Sequence, residues 1–441
     1  MIQLIRLAYN LVFPLVLLLM LPGFLIRMVK RGKYRHKFWQ RFGFYSPRVL
    51  EKIGVGGRTW IHAVSVGEVL VALKLIRALR EEDPARAFVL STTTSTGFQL
   101  AARAKSQWLE PVYNPLDFFF SARRAVRTIR PEMLILVEAE VWPNIVCEAR
   151  AAGAKIALVN ARLSRRSEKR FRAARWITAP VFNQIDLLCL QEPDDLARWT
   201  ALGVDQRRLT VTGSIKFDDG AIRPPKDFLP VLRALGVPDG APVLLGGSTF
   251  DGEEAVLAEV FAALRKSRPD LFLILVPRHF ERAAGLASQL EKSGLLVARR
   301  TQAAPGRCPD VLIVDTTGEL RDWYACATVV FVGKSLCAKG GQNPAEPVAA
   351  GAPVIFGPNM QNFASLAGQF LRHGGAIEAC DRPGLEAAAA RLLDDPQLRA
   401  KMAAAAARSL DVHRGATART VAALSRIPPA RRAAGCPPAS S

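Results

Sequence analysis

The chain has 441 residues, 50% apolar and 22% charged, which excludes a disordered or fibrous protein and leaves room for about two domains of ordinary size. Sixty Lys and Arg against 39 Asp and Glu give a net charge of +21, which points to an anionic partner: nucleic acid, an anionic membrane surface or a phosphorylated substrate. The seven cysteines show no C-x-x-C spacing and the five histidines no H-x₃₋₄-H, so a disulfide scaffold, a zinc ribbon and a His-rich metal site are unsupported.

In chain order, the first feature is Leu7–Ile26, a run of 20 residues without a charge and about long enough to cross a bilayer core. Arg27, Lys30, Arg31, Lys33, Arg35, Lys37, Arg41 and Arg48 follow with no acid among them. By the positive-inside rule, the side after the run stays in the cytoplasm. A cleaved signal peptide has the opposite charge order. Pro14, Pro22 and Gly23 break the run, and Trp39, Phe42, Phe44 and Tyr45 interleave with the basic residues. Residues 1–30 are therefore a membrane anchor that either spans the bilayer or lies in its interface.

From Thr59 onward short apolar runs alternate with amphipathic stretches. Predicted strands are Thr59–Ala63, Ala87–Ser91, Met133–Glu138, Lys155–Asn160, Leu187–Leu190 and Leu209–Thr212, with helices at Val69–Glu81, Gly97–Ala104, Ser121–Ile129 and Ile145–Ala152. Residues 218–240, rich in Pro and Gly, read as a linker. The pattern resumes with strands Pro242–Gly246, Leu271–Val276, Val311–Val314, Thr328–Val332 and Pro353–Phe356. The helices of this half are Gly252–Lys266, Glu281–Lys292, Leu320–Cys326, Phe363–His373 and one long helix Pro383–Ser409. The βαβ rhythm predicts two α/β, doubly wound domains, residues 31–217 and 241–427, and a disordered tail 428–441. Ligands of such sheets sit beyond the C-terminal ends of the strands, so the cleft between two facing halves is the expected site.

The chemistry-bearing segments fall at those strand ends. In HAVSVGEV (His62–Val69), Glu68 opens a helix. It is placed either as a general base or as a first-turn acid that favours the helix dipole. LILVEAEVWPN (Leu134–Asn144) ends in Glu138 and Glu140, which are either used in a cleft or cap the next helix. NARLSRRSEKRFR (Asn160–Arg172) has six basic residues and one acid, a solvated face or an anion site centred on Arg162. GSIKFD (Gly213–Asp218) places Lys216 at the domain junction.

In the second half, VPRHFER offers Pro277 and the fork of Arg278, DTTGEL offers Gly318 and Glu319, and GGQNPAEP offers Asn343 and Glu346 around Pro344. Turns that lead into helix N-termini suit a nucleotide phosphate, and a carboxylate there can accept from ribose hydroxyls. G-x-x-x-x-G-K-[ST], G-x-G-x-x-G and Asp-x-Asp are all missing. A P-loop, a dinucleotide enzyme and an acidic metal clamp therefore lack support, and no metal is expected.

The ordered motifs HAVSVGE, E-x-E-x-WPN, NARLS-x-RS, GSIKFD, GST-x-x-GEE, ILVPRH-x-ER, DT-x-GEL and NP-x-EP resemble those of the 3-deoxy-D-manno-octulosonic acid (Kdo) transferases of lipopolysaccharide synthesis, from residue 1 to about 375. The resemblance implies the GT-B fold, two Rossmann-like domains facing across a cleft, and inverting transfer of Kdo. The donor is CMP-Kdo. The acceptor is the bis-phosphorylated lipid A precursor, lipid IVA, at the cytoplasmic face of the inner membrane. It implies Glu68 as base and Glu138 and Lys216 as transition-state groups. CMP contacts then fall on Pro277, Arg278, Thr317, Gly318, Glu319, Asn343, Pro344, Ala345 and Glu346. No cofactor is expected, CMP-Kdo being the donor substrate. The chain departs from the family pattern at Lys334, Gln342, Ala345, Thr317 and Phe280. Two other readings are a membrane-associated GT-B enzyme that uses a UDP-sugar and, accounting for charge alone, a membrane-tethered nucleic-acid-binding protein.

Overall fold

The computed structural model describes residues 1–31, 37–54, 57–139, 141–218, 226–302, 306 and 308–427, with side chains along the first helix described as far as Leu19. Lys33 and Arg35 of the basic run lie outside the described residues. The chain forms two compact units. The first combines Met1–Gly220 with His413–Ser441, and the second is Ala221–Val412.

The first unit is built on β1 (Arg58–His62), β2 (Phe88–Thr92), β3 (Leu109–Tyr113), β4 (Pro131–Val137), β5 (Lys155–Ala161), β6 (Leu187–Leu190) and β7 (Leu209–Val211). They pair in the order β3-β2-β1-β4-β5-β6-β7, all parallel. Successive side chains of a strand point to opposite faces. Trp60, Leu134, Leu136, Ile156 and Leu158 accordingly fill one core layer, and Ile61, Ile135, Val137, Ala157 and Val159 fill the other. Burial on both faces is why these strands read as continuous apolar runs.

The second unit repeats the plan with β8 (Val243–Thr249), β9 (Phe272–Pro277), β10 (Val297–Arg299), β11 (Val311–Ile313), β12 (Val329–Val332), β13 (Val354–Phe356) and β14 (Ala376–Glu378). Their order is β10-β11-β9-β8-β12-β13-β14, again parallel. Strand order reverses between β1 and β4 in the first sheet and between β8 and β12 in the second. Those two points are where doubly wound sheets bind ligands.

Three strands escape the sequence pattern, and all three are edges. β3 carries Pro111, tolerated because an edge strand has one unpaired side. β10 and β14 are three residues long and only partly buried, so neither reads as an apolar run.

Other boundaries also move. The expected helix Pro383–Ser409 is two helices, Arg382–Asp394 and Pro396–Asp411. Pro396 disfavours a helical Asp395, whose side chain instead caps the second helix by accepting from the Leu398 N–H. Within the expected linker, 219–225 lie outside the described residues, and Leu229–Ala234 is a helix of the second unit. Residues 413–427, expected in the second domain, belong to the first. The helix Ala416–Ser425 sends Val421, Ala423 and Leu424 into the core layer of Ile61 and Val69. The tail 428–441 lies outside the described residues.

The N-terminal helix runs from Ile2 to Arg31 through both prolines, where the sequence suggests a break. An interior proline costs about 3 kcal/mol, and docking of one helix face on the first unit offsets it. Ile2–Leu19 is long and apolar enough to cross a membrane, and 6% of it is buried.

Candidate active site

In the first unit the strand ends on either side of the switch point carry the two carboxylates. After β1 the chain turns at Ser65 into the helix Val66–Glu82. Glu68 is the third helical residue, not the first, and completes a capping box with Ser65. Its Oε2 accepts from the Val64 N–H at 2.8 Å, and its Oε1 accepts from the Ser65 hydroxyl at 2.8 Å. Oε1 also accepts from the Ser65 N–H at 3.3 Å, so the buried side chain is fixed by these bonds and the open acceptor site is on Oε2.

After β4, Glu138 sits in the left-handed region with φ 63°, a strained position for a residue with a Cβ. Its N–H still pairs with the Val159 carbonyl at 3.0 Å. The following helix, Pro143–Ala151, is capped from elsewhere. Asp117 accepts from the Asn144 N–H at 3.0 Å and the Ile145 N–H at 2.9 Å. The capping alternative for Glu138 thus finds its caps already supplied by Asp117. Glu140 lies outside the described residues.

Glu138 shares its surroundings with Glu68, Arg162 and Lys216. Burial, and next the Glu68 charge, push its carboxyl up, while Arg162 and Lys216 pull it down. Burial lowers Lys216, opposed by Glu138. Two acids and two bases therefore converge beyond β1, β4, β5 and β7. That is the composition of a site that moves a proton while charge develops nearby.

Lys216 is placed by a bracket the sequence does not announce. Asn160, with φ 53°, accepts from the Ile215 N–H at 2.9 Å and the Ser214 hydroxyl at 3.2 Å. His413 Nδ1 accepts from the Ser214 N–H at 3.1 Å, and Asp218 accepts from the N–H groups of Gly415 and Thr417. The accepting nitrogen fixes His413 as a neutral ring, and burial lowers its pKa to about 4. His62, buried beside Ser91, is likewise lowered to about 4. The unfolded chain binds these protons near pH 6.5 and the native state does not. Stability from this source is full above about pH 6.5 and falls as pH drops toward 4. His413→Gln, which can still accept from Ser214, is expected to flatten that slope in urea unfolding measured between those pH values.

In the second unit the candidate residues follow β9, β11 and β12, whose C-terminal ends lie on one edge of the sheet. Pro277 is buried and ends β9. Arg278 is exposed, and its N–H is held by the Thr249 carbonyl at 3.0 Å. Thr317 and Gly318 are exposed in the turn after β11. Glu319 accepts from the Thr316 hydroxyl at 2.6 Å and lies 3.6 Å from Arg300. After β12, Asn343 donates to Glu346 at 3.0 Å and accepts from the Ala345 N–H at 3.1 Å, across Pro344. The helices that start here, Leu320–Trp323 and Ala345–Ala349, are one turn long. Helices this short have little dipole to offer an anion.

The switch point of this sheet is shaped by Glu253, a residue the sequence reading passed over. Its fully buried carboxylate accepts backbone N–H groups from Phe250 at 2.8 Å, Lys334 at 2.7 Å, Ser335 at 2.9 Å and Leu336 at 3.0 Å. Lys334 there has φ 57°, with its Nζ 4.9 Å from the Phe250 ring centroid. Gly341, φ 69°, has no room for a Cβ, which would meet Met360 Sδ at 2.5 Å. Glu253→Ala would strand these donors at about 1–3 kcal/mol each. A loss of about 3 kcal/mol or more in the unfolding of the second unit is expected, read by hydrogen exchange of β8 and β12. Among the described residues no group of three His, Cys, Asp or Glu side chains is placed to hold a metal ion.

Residues 36–219 match the family described as 3-Deoxy-D-manno-octulosonic-acid transferase (kdotransferase). The chain is 36% identical to the 3-deoxy-D-manno-octulosonic acid transferase of Bordetella pertussis, over 94% of this chain and 98% of that one. It is 32% identical to the enzyme of the same name from Haemophilus influenzae, over 89% and 91%. Solved structures with a similar fold include a glycosyltransferase from Rickettsia africae, with TM-score 0.52, 11% identity, and 84% of this chain and 98% of that one covered. The glycotransferase of kitacinnamycin gives TM-score 0.51 at 19% identity, over 84% and 99%.

Proposed function

Because the chain belongs to the 3-deoxy-D-manno-octulosonic acid transferase family and has the GT-B glycosyltransferase fold, we propose that it moves Kdo from CMP-Kdo to a lipid A precursor, lipid IVA, in lipopolysaccharide synthesis. The observation that carries the mechanism is the convergence of Glu68, Glu138, Arg162 and Lys216 beyond the switch point of the first sheet.

Glu68 takes the proton from the acceptor hydroxyl as its oxygen bonds to the anomeric carbon of Kdo. The bond from that carbon to the phosphate oxygen breaks, and CMP leaves with the electron pair. Glu138 faces the positive charge that develops on the sugar ring, by analogy with glycoside hydrolysis. Lys216 and Arg162 meet negative charge on the departing phosphate or on the Kdo carboxylate. The cytidine monophosphate is held in the second unit by Pro277, Arg278, Thr317, Gly318, Glu319 and the stretch Asn343 to Glu346. Fixed cations take the place of a metal, and CMP-Kdo is a substrate, so no cofactor enters. The N-terminal helix associates the enzyme with the cytoplasmic face of the inner membrane, where the lipid acceptor lies.

The test is mass spectrometry of lipid products after the purified chain meets CMP-Kdo and the tetra-acylated precursor in EDTA. A product heavier by one or more Kdo units is expected. No product with CMP-Kdo but transfer from a UDP-sugar would replace this reading with the rival donor class.

A further inference from the structure

The N-terminal helix has two faces of different chemistry. Positions 2, 5, 6, 9, 10, 13, 14 and 17 are buried or half-buried, the spacing of one helix face. This face carries the polar groups. Arg6 Nε donates to Asn144 Oδ1 at 2.9 Å, and its guanidinium pairs with Glu148. Asn144 Nδ2 donates to Asn10 Oδ1 at 2.7 Å. Phe13 packs edge-on to Phe118 and Trp142, with ring centroids 5.3 and 6.5 Å apart. Asn144 is itself fully buried, its N–H taken by Asp117, so the helix is seated on a rigid polar socket. The opposite face holds Leu4, Leu7, Leu11, Leu15, Leu18 and Leu19, each 60–83% exposed.

Length argues against crossing. Contacts to the first unit fix the helix at Arg6, Asn10 and Phe13, and the apolar run continues beyond them only to Ile26. From Pro14 to Ile26 only 13 residues remain before Arg27, about 20 Å of helix against about 30 Å of hydrocarbon. Using the earlier turns to span would draw Glu148, Asp117 and Asn144 into the apolar layer, where charges and buried polar groups are costly. At the start of the helix an open groove of about 750 Å³ is lined by Met1, Ile2, Arg172, Arg175 and Trp176. The adjoining helix Arg165–Ala173 exposes Arg166, Lys169, Arg170 and Arg172. Leucines beside exposed arginines and a tryptophan match the acyl and headgroup layers of an anionic leaflet.

We propose that the N-terminal helix lies in the plane of the membrane surface, locked to the first unit through Arg6, Asn10, Asn144 and Glu148, with its leucine face in the acyl layer of an anionic leaflet and without crossing the bilayer. The proposal rests on the membrane association proposed above and adds its geometry.

The test places a protease-cleavable epitope ahead of Met1 of the full chain in a Gram-negative host. The chain is expected to pellet with membranes, with the epitope cut in inside-out vesicles and protected in sealed spheroplasts. Cutting in spheroplasts would put the N-terminus across the bilayer and overturn the proposal. A chain that stays in the supernatant would overturn the membrane association and this geometry together, while transfer in detergent would leave the catalytic reading standing. As a second measurement, Leu7→Asp with Leu11→Asp is expected to weaken partitioning onto vesicles of phosphatidylethanolamine and phosphatidylglycerol at least ten-fold with the melting midpoint unchanged. Equal partitioning would overturn the leucine face as the lipid contact.

Discussion

Glu68→Gln is expected to lower kcat by about 10²–10⁴-fold, the span usually lost with a general base, while CMP affinity stays where it is and the melting midpoint falls only slightly. The choice of glutamine follows from the capping box. A Gln at the third helical position keeps one of the two accepting oxygens, so the helix start is weakened but survives. Alanine would remove the cap as well, costing about 1 kcal/mol and confusing lost fold with lost chemistry. The proposed CMP contacts belong to the second unit, so CMP calorimetry on the same sample separates the roles. A normal kcat in the Glu68→Gln variant would leave Glu68 a capping residue and nothing more.

The second large effect is expected at Lys216. Lys216→Met removes a half-buried cation and is expected to cost about 10²–10³ in kcat, as loss of one preorganised electrostatic partner does. The pH profile carries more information than the rate. Burial first, and then Glu68, raise the Glu138 carboxyl, so the acidic limb of kcat sits above the ordinary carboxylate range. Lys216 opposes that rise, and its removal moves the limb further up. Burial lowers Lys216, so the basic limb falls below the ordinary lysine value. Lys216→Arg, which keeps its charge to about pH 12, is expected to retain part of the rate and lose the basic limb. A profile unchanged in both variants would remove Lys216 from the charge balance of the reaction.

Much of this site is legible in the sequence because strand ends are. Continuous apolar runs locate the strands, Glu138 and Arg162 stand directly after two of them, and Glu68 and Lys216 lie within six residues of the ends of two others. What stays hidden is what depends on residues far apart in the chain. Nothing near Pro143 reveals that Asp117 caps its helix, or that Asn144 reaches Arg6, 138 positions away. Glu253 looks like one acid of a helix start, yet it organises a loop about 80 residues later. Edge strands fade for a different reason. With one partner they need neither length nor unbroken hydrogen bonding, so Pro111 in β3 reads as a breaker. The final helix is the clearest loss. No helix is predicted over Ala416–Ser425, and nothing in that segment hints at which core will receive it.

That last helix bears on the order in which the protein is made. The second unit is one continuous stretch, Ala221–Val412, and is complete in sequence once Val412 has left the ribosome. The first unit, begun earlier, lacks Val421 and Leu424 until the helix Ala416–Ser425 is made. The unit that starts first therefore finishes last. A chain cut after Val412 would hold all of the second unit and a first unit with an unfilled core layer, its GSIKFD segment without the brace of His413 and Gly415. Synthesis itself thus withholds the lysine-bearing bracket until the segment from His413 to Thr417 has been made.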